Sequence, residues 1–199
     1  MYRICFVCTG NICRSPMAEA VFRARVADAG LDGLVHVDSA GTGGWHEGDG
    51  ADPRTLAVLE AAGYPHDHTA RQFRASWFAG LDLVIALDAG HLRDLRRLAP
   101  TPQDAAKVRL LRSYDPGAAG DTDVPDPYYG GLDGFEECLE LVEAASPGLL
   151  DAVRTAVAAS RPPVPARPPA PPAPPEPAAP PVPAAPPVPA QPPLKELRS

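Results

Sequence analysis

The sequence predicts an α/β protein: a four-stranded parallel sheet with helices on both faces and a loop after strand 1, followed by a disordered Pro/Ala-rich C-terminal tail. Three observations carry that expectation. Strand-like and helix-like segments alternate along the first 160 residues, the pattern of a parallel sheet covered by its own crossovers. Residues 81–87 (LDLVIAL) are apolar enough to be buried on both faces, as strands inside such sheets are. Of the 27 prolines, 18 lie between Pro162 and Pro193, so residues 1–160 read as a domain and residues 161–199 as a tail.

The elements follow in order. Residues 3–7 (RICFV) form the first strand, which stops at Cys8-Thr9-Gly10-Asn11. Ser15-Pro16 reads as an N-cap followed by proline at the first helical position. The helix runs to about Ala29, and Gly30 closes it. A second strand over residues 35–39 breaks at Ala40-Gly41-Thr42-Gly43-Gly44. Asp52-Pro53 opens a second helix, stopped at Gly63. The third strand is residues 81–87, a helix with Leu92, Leu95 and Leu98 at helical spacing follows, and residues 108–111 form the fourth strand. After a polar loop over residues 113–131, helical patterns continue from Phe135 to about Ala159, interrupted at Ser146-Pro147-Gly148. The tail has few backbone donors for any ladder, so polyproline II is its expected local conformation. It is a plain spacer or a docking strand for an aromatic-lined groove.

Composition narrows the function. The net charge is −7, and because the tail carries +2 the rest of the chain carries −9, which argues against a nucleic-acid partner. An anion site in such a body must be local, built from backbone amides and an arginine. No run approaches the ~20 apolar residues of a membrane span, and no export signal is visible. Cys5, Cys8, Cys13 and Cys138 therefore read as thiols of a reducing cytoplasm.

Chemistry concentrates in two loops at strand ends, where ligands sit in folds of this class. Cys8-Thr9-Gly10-Asn11-Ile12-Cys13-Arg14-Ser15 places a cysteine six positions before an arginine, between a strand and a helix. Its backbone amides can converge above the helix N-terminus to form an anion cradle. Gly10 and Asn11 are types that tolerate the left-handed backbone such curling needs. Arg14 can close over a phosphate with two parallel hydrogen bonds. The same field stabilises a thiolate, the form expected of Cys8, and Ser15 can donate to its sulfur. An ATP-type loop would end Gly-Lys-Ser/Thr, which this one does not. Cys5 and Cys8 have CxxC spacing but fall on opposite faces of a strand, too far apart to share a metal or a bond. No metal or other cofactor is expected.

Protonating a leaving phenol requires an acid. Asp126, set between Pro125 and Pro127, has its carboxylate direction stiffened by both rings. Tyr128 and Tyr129 offer aromatic walls. Asp121 and Asp123 read as solvated loop charges.

With those residues in view, the sequence resembles the low-molecular-weight protein-tyrosine phosphatases, most closely the actinobacterial kind. The motifs are VCTGNICRS (Val7 to Ser15), DSAGTGGWH (Asp38 to His46), DHTARQF (Asp67 to Phe73) and DPYYG (Asp126 to Gly130), over residues 1–160. The resemblance implies Cys8 as nucleophile, Arg14 as phosphate clamp and Asp126 as general acid. Thr9, Gly10, Asn11, Ile12, Cys13 and Ser15 make up the rest of the phosphate loop. Asn11, Ser39 and His68 hold that loop in shape, and Trp45 forms the lip of the entrance. The implied substrates are phosphotyrosine-containing proteins, hydrolysed through a phosphocysteine. Leu87-Asp88 departs from the family's usual Met-Asp, a matter of packing. A thioredoxin-coupled arsenate reductase of the same fold is the alternative, but it needs two further relay cysteines, and none lies between Leu81 and Leu98. An inactive phosphate-binding adaptor with a proline-rich docking tail is the other, and intact Cys8, Arg14 and Asp126 argue against it.

Overall fold

Residues Ile4 to Cys8 are buried without a break, and in an α/β protein such a run belongs at the centre of the sheet. In the computed structural model, which describes residues 1–64 and 67–160, that strand is β1 (Tyr2–Cys8). It pairs in parallel with β2 (Val35–Gly41) on one side and β3 (Leu83–Ala86) on the other. Strand β4 (Val108–Leu110) adds beyond β3, giving the order β2-β1-β3-β4. The chain order reverses at β1, so the crevice at its carboxyl end is the place a ligand is expected. Cys8 is the last residue of β1.

The helices are α1 (Arg14–Asp28), α2 (Pro53–Ala61), α3 (Ala89–Leu98), α4 (Pro102–Ala106) and α5 (Leu132–Ala159), with 3₁₀ turns at Ala75–Gly80 and Leu111–Tyr114. One core holds Phe6, Met17, Phe22, Leu59, Phe135 and Leu149, from the β1 face under α1, α2 and α5. The other holds Cys5, Val7, Phe78, Val84 and Leu95 on the opposite face. Cys5 and Cys8 fall in different cores, as alternation along a strand requires.

Two expectations need correction, and one further element escaped the sequence reading. Helix α1 begins at Arg14 with Cys13 as its cap residue, so Ser15 is not the N-cap; its hydroxyl is engaged in the site below. Helix α5 runs unbroken through Ser146-Pro147-Gly148. An interior proline costs ~3 kcal/mol or more, and here the buried stripe Phe135, Leu139, Val142, Leu149 and Val153 outweighs it. Gly148 is needed there because a Cβ would lie 2.2 Å from the Tyr114 carbonyl oxygen. The short α4, capped by Thr101 with Pro102 following, has too few residues to show a periodicity in sequence. The expectation of a disordered tail falls on residues 161–199, outside the described residues. Among the described residues, no helix is long and apolar enough to cross a membrane.

Candidate active site

The loop between β1 and α1 is shaped by one buried residue. Asn11 sits at φ 57°, the left-handed region asparagine tolerates better than most residues. Its Nδ2 donates to Ser15 Oγ and to Ser39 Oγ, both at 2.9 Å, and its Oδ1 accepts from the Arg71 amide at 2.9 Å. His68 Nε2 lies 2.7 Å from the Asn11 carbonyl oxygen. Ser39 Oγ in turn donates to buried Glu19 at 2.6 Å. From the β2 side, the Thr42 amide donates to the Cys8 carbonyl and the Gly43 amide to the Thr9 carbonyl, at 2.8 and 2.9 Å. Gly41 allows that approach, since a Cβ there would lie 2.7 Å from the Thr9 carbonyl oxygen. Gly10 was expected at positive φ, yet only Asn11 in this loop has one. Glycine serves there by admitting the His46 ring, whose Cδ2 would be 3.1 Å from a Cβ.

Donors converge on the Cys8 sulfur. The Asn11 amide donates to Sγ at 3.3 Å, and Ser15 Oγ lies 3.0 Å from it. Ser15 also reaches the Ala40 carbonyl oxygen at 3.2 Å, and one hydroxyl proton must choose between them. Cys13, at the loop's other end, is buried, and burial, with the charges of Asp52, Cys8 and Asp126, pushes its thiol up to about 12. Burial also pushes Cys5 and Cys138 up to about 12. All four cysteines are free and buried, so no exposed thiol relay is present.

Arg14 is only 4% exposed and forked between two carboxylates. NH1 donates to Asp88 Oδ2 at 2.9 Å and to the Val124 carbonyl at 3.2 Å. NH2 donates to Asp126 Oδ2 at 2.8 Å. Its Nε–H is buried with no hydrogen-bond partner among the described residues, an orphan donor of the kind that marks a ligand position.

Asp88, capping α3, accepts the His91 amide at 2.7 Å. The ring nitrogen Nδ1 of His91 lies 3.0 Å from Asp88 Oδ1. Burial alone would raise the Asp88 carboxyl. The His91 ring and amide, with the Arg14 charge, outweigh it and hold Asp88 well below the usual carboxylate range. His91 Nε2 then meets Thr9 Oγ1 at 2.9 Å, closing a ring of contacts under the loop.

These groups face a cavity of about 220 Å³. Cys8, Thr9, Gly10, Ile12, Cys13 and Arg14 line its base, and Trp45, His46, Asp126, Tyr128 and Tyr129 its mouth. Asn11, Ser15, Ser39 and His68 stand behind the loop and not in the cavity. Tyr128 and Tyr129 meet edge to face at 5.0 Å. The loop that carries Asp126 is tied down by Asp123, whose carboxylate accepts the Ala89 amide at 2.8 Å and whose carbonyl accepts Arg112 at 2.9 Å. Asp121 accepts the Asp123 amide at 3.3 Å. Asp123 is therefore not the solvated loop charge expected, whereas Asp121, with its side chain 77% exposed, is one. Sequence reasoning also missed Asp88, His91, Glu19, His46 and Gly41. Of these, Glu19 stood out as a charge on an otherwise buried helix face; the others show their part only once the chain folds. Among the described residues, no cluster of three or more His, Cys, Asp or Glu could hold a metal ion.

A cysteine-and-arginine anion loop at the switch point of a parallel sheet, faced by a carboxylate from a second loop, defines the class: an α/β phosphate-loop protein of the cysteine-dependent type. Residues 3–159 match the family model for low molecular weight phosphotyrosine protein phosphatase. A low-molecular-weight protein-tyrosine-phosphatase of Streptomyces coelicolor is 80% identical over 157 residues, 78% of this chain and 96% of the relative. The crystal structure of a protein tyrosine phosphatase from Entamoeba histolytica superposes with a TM-score of 0.75 at 35% identity, covering 78% of this chain and 99% of that one. The crystal structure of a Drosophila arginine phosphatase superposes at 0.71 with 32% identity, covering 76% and 97%. The chain belongs to the low-molecular-weight protein-tyrosine phosphatase family.

Proposed function

We propose that this chain hydrolyses aryl phosphate monoesters, phosphotyrosine in protein substrates above all, through a phosphocysteine on Cys8. The observation that carries the proposal is that Cys8, Arg14 and Asp126 line one cavity whose mouth is aromatic.

In the first step the Cys8 sulfur, as thiolate, attacks phosphorus in line. The P–O bond to the phenol breaks, and the Asp126 carboxyl proton passes to the departing oxygen. In the second, Asp126 takes a proton from water as the water oxygen attacks phosphorus. The P–S bond breaks with Ser15 donating to the leaving sulfur, and inorganic phosphate departs. Loop amides, the free Nε–H of Arg14 and its NH2 arm stabilise the equatorial oxygens, with the phosphoryl group taking over from Asp126 as that arm's partner. Tyr128, Tyr129 and Trp45 receive the aryl ring, which supports phosphotyrosine over the smaller phosphoserine and over a guanidinium phosphate. Asn11, Ser39 and His68 keep the loop curled from behind.

The same reading makes residues 1–160 the catalytic domain and places the enzyme in the cytoplasm. It leaves residues 161–199 as a spacer or as a ligand for a proline-recognising partner. Assays with p-nitrophenyl phosphate, phosphotyrosine, phosphoserine and phosphoarginine, each with and without chelator, test the proposal. Chelator-insensitive turnover of the two aryl esters, abolished in Cys8→Ser, is expected. Turnover surviving in Cys8→Ser, or a preference for phosphoarginine, would overturn it.

A further inference from the structure

The mechanism above leaves Arg54 without a part, yet no side chain on α2 is more heavily engaged. Its guanidinium grips the α2 cap residue Asp52, Nε to Oδ1 at 3.0 Å and NH2 to Oδ2 at 2.8 Å. The remaining donors cross to the acid loop, NH1 to the Gly130 carbonyl at 2.9 Å and NH2 to the Tyr128 carbonyl at 3.1 Å. Its flat face lies 4.4 Å from the Phe135 ring centroid, at the start of α5, and 5.8 Å from that of Tyr128.

Both ends of this clasp lead to reacting groups. On one side the Asp52 amide donates to the Ile12 carbonyl at 2.8 Å, and Thr55 Oγ1 to the same oxygen at 3.3 Å, so the start of α2 is fixed to the phosphate loop. On the other side Tyr128, whose carbonyl Arg54 holds, gives its amide to Asp126 Oδ1 at 3.2 Å. The other Asp126 oxygen is taken by Arg14. Tyr128 is therefore pinned at its carbonyl by Arg54 and orients Asp126 with its amide.

We propose that Arg54 is a positioning residue for the acid loop: by tying the Tyr128 and Gly130 carbonyls to the helix that abuts the phosphate loop, it sets the direction of the Asp126 carboxylate and the spacing of the aromatic mouth. This rests on Asp126 being the general acid. Helix α2 does not itself require the side chain, because Asp52 caps through the Arg54 backbone amide, which any residue but proline supplies. The geometry does require arginine: a planar fork can hold a carboxylate and two carbonyls at once, whereas an ammonium is a point donor.

The test is a series of aryl phosphates of rising phenol basicity, with kcat/KM measured for the wild type, Arg54→Ala, Arg54→Lys and Asp52→Asn. A misplaced acid costs most where the leaving group is poorest. In Arg54→Ala, phenyl phosphate should lose about tenfold to a hundredfold and p-nitrophenyl phosphate less than about threefold. Inhibition by inorganic phosphate should stay within about twofold, because that site is fixed from beneath. Arg54→Lys should show the same steepening, and Asp52→Asn, which keeps the helix cap, a smaller one. Equal losses across the series, an unchanged slope in Arg54→Ala, or a wild-type slope in Arg54→Lys would each overturn the role of Arg54. A wild type that turns over no aryl phosphate would instead overturn the assignment of Asp126 beneath it.

Discussion

The phosphate loop and the acid loop meet at the same cavity but are held by different means. Asn11, Ser15 and Ser39 are each at most 1% exposed, and Asn11 donates to both serines, so the phosphate loop is fixed from below by side chains water does not reach. The acid loop runs over the surface, with the Asp126 side chain 43% exposed and Tyr129 94% exposed. It is held by the Asp123 carboxylate, by the Val124 amide and by arginines from elsewhere in the chain. The groups that cradle a charge are preorganised, since reorienting them during the reaction would forfeit their stabilisation. On the proposed mechanism, the groups that would admit an aryl ring and move a proton sit where a substrate can approach. Substitutions in the buried layer should therefore affect stability and anion binding together, and substitutions in the exposed loop should affect aryl binding and chemistry while leaving stability and anion binding nearly unchanged.

Asp126→Ala carries the largest expected effect on the exposed side. It should lower kcat/KM for phenyl phosphate by about 10²–10⁴, with a smaller loss for p-nitrophenyl phosphate. The thermal midpoint and inhibition by inorganic phosphate should hardly change. Uniform slowing across leaving groups would make the residue a structural part and blur the distinction.

On the buried side, Asp88→Asn keeps the α3 cap, since asparagine caps as well as aspartate, and leaves Arg14 with one carboxylate. Chemical denaturation at pH 7 should show a loss of about 1.5–3 kcal/mol, as for other hydrogen bonds to charged groups. The sign with pH follows from the direction of the shift: the native Asp88 carboxyl lies below its unfolded value. Its contribution is complete above about pH 4 and is lost as the pH falls through the depressed native value. Wild type and variant should converge in acid; curves that remain parallel would contradict the pairing.

Tyr129→Ala is the smallest. At so exposed a position stability should change by less than about 0.5 kcal/mol, while KM for aryl phosphates rises and inorganic phosphate binding is unaltered. A change in the latter would show that the aromatic mouth shapes the phosphate loop as well.

What could be read from the sequence divides along the same line. Cys8, Arg14 and Asp126 could be picked out as candidates because the expected chemistry allows few other residue types, and the fold brings all three to one cavity; Asn11 could be picked out because few side chains sit at positive φ. The sheet was legible because residues 4–8 of β1 and all of β3 form unbroken apolar runs. Asp88, His91 and Arg54 were not, since each acts through partners far away in the chain, 74 positions apart for Arg14 and Asp88 and 76 for Arg54 and Gly130. Ser15-Pro16 has the look of a helix cap, but the sulfur seven residues earlier claims the serine. Pro147 reads as a break, and only the apolar surface waiting beneath α5 keeps that helix whole.

The most direct measurement is rapid quenching of the full chain during turnover of p-nitrophenyl phosphate, followed by peptide mass spectrometry with fragmentation. A phosphoryl group on the sulfur of Cys8, appearing and decaying as fast as turnover requires and absent from Cys8→Ser, is predicted. Turnover with no phosphorylated enzyme, or with the phosphoryl group on Cys13, Ser15 or any other side chain, would contradict it.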